Sequence, residues 1–185
     1  MASEYKGKRY FETSLIIVFG SLYAVTGYFT YFGINFYGVK FWPAVVIPAT
    51  AAVLFGEKVG GSSAALGIFV SDVLTHGMAF LSLTVGVPSN FIAFYIIGKV
   101  CRKYSLRRYL ISATVGLAIG SIIIGIGLLF WSQAFPLPFS NKVTPLAFEA
   151  AFTISAWTFI SEIPFLYILV PPMVRMIRDR VGKVV

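Results

Sequence analysis

The chain has 185 residues, 58% of them hydrophobic and only 12% charged, with a mean hydropathy of +0.85 and a formal net charge of +8 at pH 7. A soluble domain carries about 25% charged residues, so a water-soluble core of this composition is excluded, and one membrane domain fills the length. The positive charge would suggest nucleic acid in a soluble protein, but here the basic residues lie beside apolar runs, where anionic lipid attracts them, and nucleic-acid binding is set aside.

Six apolar runs stand out: Thr13–Phe32, Phe41–Phe55, Gly61–Thr75, Thr84–Gly98, Tyr109–Trp131 and Leu146–Val170. Of the seven segments that flank them, the odd-numbered ones hold every Lys and Arg except Lys40 and Lys142. Basic loops are retained in the cytoplasm during insertion. The alternation therefore predicts an all-α integral membrane protein with six transmembrane helices and both termini cytoplasmic. The first run is too long for a signal peptide and lacks a small-x-small cleavage site, so it reads as the first span.

Span 1 places Gly20, Ala24 and Gly27 on one helix face. Such small faces let helices approach closely in lipid, and the stripe fits either packing within the chain or docking to a partner membrane subunit. Span 2 is short: about 15 residues rise roughly 23 Å against a core of about 30 Å. Pro43 suits a first turn, and Pro48 is expected to kink the helix. Glycines at 56, 60 and 61 permit a tight reversal into span 3. There Asp72 and His76, four apart, can meet on one face. A carboxylate inside an apolar span is costly and is a functional candidate by default; a structural hydrogen bond is the competing reading.

Span 4 opens with Gly86-Val87-Pro88-Ser89-Asn90, read as a helix start whose free N–H groups and polar side chains face the outer mouth. It ends in the basic cluster Lys99–Arg108. Span 5 carries Gly116 and Gly120 as a GxxxG, for which internal packing is preferred, and Trp131 and Gln133 mark its outer end. Span 6 aligns Glu149, Thr153 and Trp157 at i, i+4, i+8. Lower down, Glu162 is expected to satisfy a neighbouring helix or backbone. Pro171-Pro172 is expected to end the helix, leaving Met173–Lys183 as a basic amphipathic tail at the surface. Around loop 1, Phe29, Tyr31, Phe32, Phe36, Tyr37, Phe41 and Trp42 crowd about Asn35, more aromatic surface than membrane anchoring needs and suited to stacking on a flat heterocycle.

Several chemistries have no residues to carry them. No GxxxxGK[ST] loop is present to hold a nucleotide, no His/Cys cluster to hold zinc, and one histidine with few intramembrane acids does not make a proton pump. Cys101, the single cysteine, cannot form an internal disulfide. No catalytic set, metal site or cofactor is expected. A membrane enzyme acting on lipid and an oligomeric channel or solute carrier remain as alternatives.

The chain resembles the substrate-binding membrane subunits (S components) of energy-coupling factor transporters. The resemblance spans nearly the whole chain. It rests on Val46-Ile47-Pro48 through Leu54-Phe55-Gly56, Gly60-Gly61 to Ser71-Asp72-Val73-Leu74, Pro88-Ser89-Asn90 with Gly98, and Ser161-Glu162-Ile163-Pro164 running to Pro171-Pro172. It implies a non-enzymatic subunit of a prokaryotic plasma membrane that captures a vitamin or similar micronutrient, and it supplies the partners: a transmembrane coupling subunit and two cytoplasmic ATPases. It also implies that Gly20 and Ala24, extended by Gly27, dock on the coupling subunit. Only the region of the pocket carries over, which makes Asn90, Trp131, Gln133, Glu149, Thr153 and Trp157 candidates for substrate binding, with Asn35, Tyr37 and His76 closing it from the loops.

Overall fold

The computed structural model describes residues 2–30, 32–138 and 140–181; Tyr31 and Lys183 of the sequence reading lie outside them. The fold is nearly all-α. The helices are α1 (Ala2–Thr30), α2 (Val46–Phe55), α3 (Glu57–His76), α4 (Ala79–Leu81), α5 (Val87–Val100), α6 (Leu106–Ser132) and α7 (Phe148–Val181), with a 3-10 turn at Pro43–Val45 and a π turn at Ser82–Gly86. Among the described residues, four continuous helical stretches are long and apolar enough to cross a membrane: Arg9–Thr30, Ala79–Val100 (α4 through α5), Leu106–Ser132 and Phe148–Arg180. Pro43–Phe55 is apolar but short, and α3 is diluted by its glycines, serines and charged ends. The surface suits lipid. On α6 the side chains of Ile111, Val115, Ile119, Ile122 and Ile126 form one exposed stripe, an apolar ridge that water would not tolerate and hydrocarbon does.

Two short strands add a feature the helical reading omitted. Asn35–Phe36 (β1) and Val39–Lys40 (β2) pair antiparallel, Asn35 opposite Lys40 and Phe36 opposite Val39. The turn residues Tyr37 and Gly38 both have positive φ, 50° and 87°, which is the two-residue turn whose twist matches a hairpin. It closes one end of the bundle.

The small residues of α1 are used inside the chain. Gly20, Ala24 and Gly27 are all buried. A Cβ on Gly67 of α3 would lie 2.6 Å from the Gly20 carbonyl oxygen, and one on Gly27 would lie 2.0 Å from the Trp42 ring. Gly20 thus packs in the α1–α3 seam and Gly27 against Trp42, the packing within the chain that the spacing allows. The GxxxG of α6 is used the same way: a Cβ on Gly116 would sit 2.6 Å from the Ala93 carbonyl of α5, so it offers no free face to an oligomer.

Pro48, Pro88, Pro171 and Pro172 each sit in a setting that differs from the expected one. Pro48 falls in the first turn of α2, where an N–H has no helical partner to lose, so the change from 3-10 to α replaces a kink. Pro88 sits in the first turn of α5, as expected, but the chain ahead of it is already helical from Ala79, and the π turn widens the backbone just before the proline ring. Pro171 and Pro172 do not end α7, which continues to Val181. Leu166, Val170 and Val174 are fully buried, so the packed face of α7 runs past both prolines and holds the helix together. The surface tail is therefore the end of α7.

At the end opposite the hairpin, Glu57 is ion-paired with Arg102, whose Nε donates at 3.2 Å to Oε2. The Arg102 guanidinium holds the Glu57 carboxyl below its ordinary range. Cys101 is buried beside Ser112 at 3.4 Å, the inert placement its isolation suggested.

Candidate substrate cavity

Beneath the hairpin lies a cavity of about 90 Å³, walled by α1, α3, α5, α6 and α7. It has room for several waters and is well under the roughly 300–1,000 Å³ of pockets that enclose drug-sized ligands. Its roof is formed by two loops that meet. A Cβ on Gly38 would come within 2.9 Å of the Pro138 ring, so only glycine lets the hairpin lie this close to the α6–α7 connection.

Lys40 is the centre of the polar wall. It reaches down from β2, is 6% exposed, and donates to Asp72 Oδ1 at 3.1 Å, with Thr75 Oγ1 at 3.4 Å and Ser71 Oγ at 3.5 Å. Its ammonium lies 4.4 Å from the Trp42 ring centroid, a cation–π geometry. Burial pulls the Lys40 ammonium below its ordinary range, against the opposing pull of Asp72.

Asp72 is fully engaged. Besides Lys40 it has His76 Nε2 at 3.4 Å and accepts from the Ser82 hydroxyl at 2.8 Å. His76 Nδ1 accepts from the Met78 N–H at 3.3 Å, which leaves Nε2 as the donor toward Asp72. The anticipated Asp72–His76 pairing is present, joined by a lysine that the sequence reading had counted only as a stray positive charge. The signal was available: Lys40 is the one cation of loop 1, and Asp72 the one carboxylate inside span 3.

Of the nine expected substrate residues, His76 and Asn90 line the cavity. Asn90 Oδ1 accepts from the buried Tyr23 hydroxyl at 2.8 Å, and its Nδ2 donates to the Gly86 carbonyl at 3.1 Å. The other seven lie around the rim or outside. Trp157 Nε1 donates to the Val39 carbonyl at 3.3 Å and its ring packs on Phe36, so it holds the hairpin down. Trp131 donates to the Pro136 carbonyl at 2.9 Å, and Gln133 to the Leu129 carbonyl at 3.0 Å; both shape the α6–α7 connection. Asn35, Tyr37, Glu149 and Thr153 are exposed. Tyr37 packs edge-on against Phe36, and the Thr153 hydroxyl is spent on the Glu149 carbonyl.

Three further groups in the cavity wall were not among the expected substrate residues. The Trp42 indole N–H is buried against the Tyr23 hydroxyl, and the Ser121 hydroxyl is buried with no hydrogen-bond partner among the described residues. Glu162, 8% exposed, also lines the cavity, and among the described residues no hydrogen bond or ion pair engages its carboxyl. That corrects the expectation of a neighbouring helix satisfying it: the groups facing it belong to the cavity.

The hairpin is expected to be held in part by Trp157. Trp157→Phe keeps the ring and removes one hydrogen bond, a loss of about 1 kcal/mol. Limited proteolysis checks it: cleavage between residues 35 and 40 should quicken, with the melting temperature of the bundle little changed.

No curated protein and no solved structure matches the chain at a significant level. A family model does, that of the ECF transporter, substrate-specific component, over residues 12–174. Proteins of that family are transporter subunits, not enzymes, and work with a module of membrane coupling and ATPase subunits. With apolar helices throughout and a match over most of its length, this multi-pass membrane protein belongs to the family of ECF transporter substrate-specific components.

Proposed function

We propose that the chain is the capture subunit of an ECF-type importer, taking a vitamin or related micronutrient from outside a prokaryotic cell into the cavity beneath the hairpin. A separate coupling subunit and two cytoplasmic ATPases drive the cycle. In this reading the single membrane domain crosses the bilayer six times, with α2 and α3 as the short spans. Both termini and the Arg102 end are cytoplasmic, and the hairpin faces outward. The distribution of Lys and Arg supports that topology, and the lack of a phosphate-binding loop agrees with an energy source on partners.

The observation that carries the reading is the cavity. Polar groups without partners are rare in interiors because each costs the free energy of its lost hydration. A site that keeps them, beneath two loops meeting at Gly38 and Pro138, is suited to a ligand that supplies the missing partners. His76 and Asn90 belong to it, with Tyr23, Trp42, Ser121 and Glu162. The cavity in its closed state is too small for a vitamin, so the roof opens for entry.

The test is assembly. The tagged chain, expressed in its native membrane, is expected to co-purify with a coupling subunit and two ATPases, and reconstituted uptake is expected to require ATP. Solute movement through the purified chain alone, at a rate that ATPase subunits do not change, would overturn the proposal in favour of a channel or carrier.

A further inference from the structure

The polar groups of the cavity are not all engaged once the internal partners are matched. Five titratable side chains face it: Tyr23, Lys40, Asp72, His76 and Glu162. Lys40 and Asp72 neutralise each other, His76 donates to the same carboxylate, and the Tyr23 hydroxyl is committed to Asn90. Lys40 already has three acceptors around its three donors, so it is not free to receive an anion. What remains, among the described residues, is the carboxyl of Glu162, with the Ser121 hydroxyl also unengaged.

Resting on the capture-subunit reading, we infer that the ligand is a compact, flat cation, or a base protonated on binding, whose N–H groups donate to the Glu162 carboxylate. The remainder of the wall agrees with such a body. Tyr23, Trp42 and Phe94 present aromatic surface, and Ile68, Leu117 and Leu128 line the same space. An amidinium or aminated heterocycle pairs its two N–H groups with one carboxylate, and its ring takes the aromatic faces. A free anion finds neither an unpaired cation nor a cluster of donors here. Ser121 supplies a second hydrogen bond from α6, beside α7, and so fixes the orientation of a ligand held by Glu162.

Three probes of nearly one shape and different charge test this: benzamidine, benzamide and benzoate, titrated against the full chain in detergent and read by tryptophan fluorescence and by thermal shift. Benzamidine is expected to bind about ten- to a hundredfold more tightly than either of the others, the range of a charge-assisted hydrogen bond. Glu162→Gln should remove that preference. The substitution keeps the size and polarity of a side chain that no partner engages among the described residues, so the variant is expected to fold with its melting temperature little changed. Ser121→Ala, read the same way, should weaken benzamidine less than Glu162→Gln does.

Equal binding of the three probes, a preference for benzoate, or no binding of any at millimolar concentration would overturn the inference, as would a benzamidine preference that survives Glu162→Gln. The wild-type comparison decides even if the variant does not fold. Co-purification with the ATPase module is independent: if the module assembles and benzoate wins, the cation inference falls and the capture reading stands. If benzamidine wins and no module assembles, the capture reading falls alone.

Discussion

Asp72→Ala is expected to be the most damaging single substitution in the protein, costing about 3–5 kcal/mol, because it leaves the buried Lys40 ammonium without its counter-ion. The Lys40 side chain is 5% exposed and that of Asp72 12%, so water does not substitute for the missing carboxylate. The effect reaches beyond stability. Lys40 sits in β2, and its bond to α3 ties the hairpin to the bundle. Losing Asp72 also frees the Ser82 hydroxyl at the start of the π turn. Thermal unfolding in detergent should show a lower melting temperature, and hydrogen exchange should show faster opening at residues 35–40. The double variant Lys40→Met/Asp72→Leu separates burial from pairing. Replacing both partners of a buried pair by apolar groups is often neutral or stabilising, so the double variant should recover most of the loss. If Asp72→Ala unfolds no more easily than the wild type, the lysine is not held as the structure describes.

The second large effect is expected at the α1–α3 seam. Gly67→Leu forces a side chain into a space where even a Cβ would lie 2.6 Å from the Gly20 carbonyl oxygen and 2.6 Å from the Tyr23 ring. The nearest atom is backbone, so the seam must part, at a cost of about 1–3 kcal/mol or more. Tyr23 spans the seam and the cavity, donating to Asn90, so probe binding should fall along with stability. Gly7→Ala is the control: a Cβ there meets nothing within 4 Å, and in a helix the change is expected to be neutral or slightly stabilising. A normal melting temperature for Gly67→Leu would mean that α1 does not pack on α3 through these glycines.

Much of the fold was legible in sequence because lipid imposes a simple rule: the segments that cross must be apolar, and their flanks carry the charge bias. The runs at 109–131 and 146–170 became the long helices α6 and α7, and the glycines at 56 and 60 became the reversal between α2 and α3. The ends were less legible. Residues 173–181 look like a surface tail because prolines precede them, yet the buried face through Val170 and Val174 overrides that local preference. Pro88 looks like a helix start for the same local reason, and it does open α5, but a π turn joins it to the helical chain ahead. Gly20, Ala24 and Gly27 announce close packing, but spacing alone does not say with which helix.

The site was harder. Helical spacing correctly put Asp72 beside His76, since i and i+4 is a local relation. Lys40 meets Asp72 across 32 positions of chain, and nothing in the spacing carries that. Polar residues near the ends of spans drew attention to Glu149, Thr153 and Gln133, which the fold leaves exposed or uses to shape a loop. Glu162, one turn beyond Thr158 on the inward face of α7, looked structural because a buried carboxyl normally has a partner. Its lack of one among the described residues became visible only when the surrounding helices were in place.

The most direct measurement is native mass spectrometry of the full chain, purified alone from its native host in mild detergent and mixed with a growth-medium extract. The account predicts one small water-soluble molecule bound per chain, released on denaturation and raising the melting temperature when added back. A phospholipid occupying the cavity, with no small molecule from the extract able to displace it or to stabilise the chain, would contradict it.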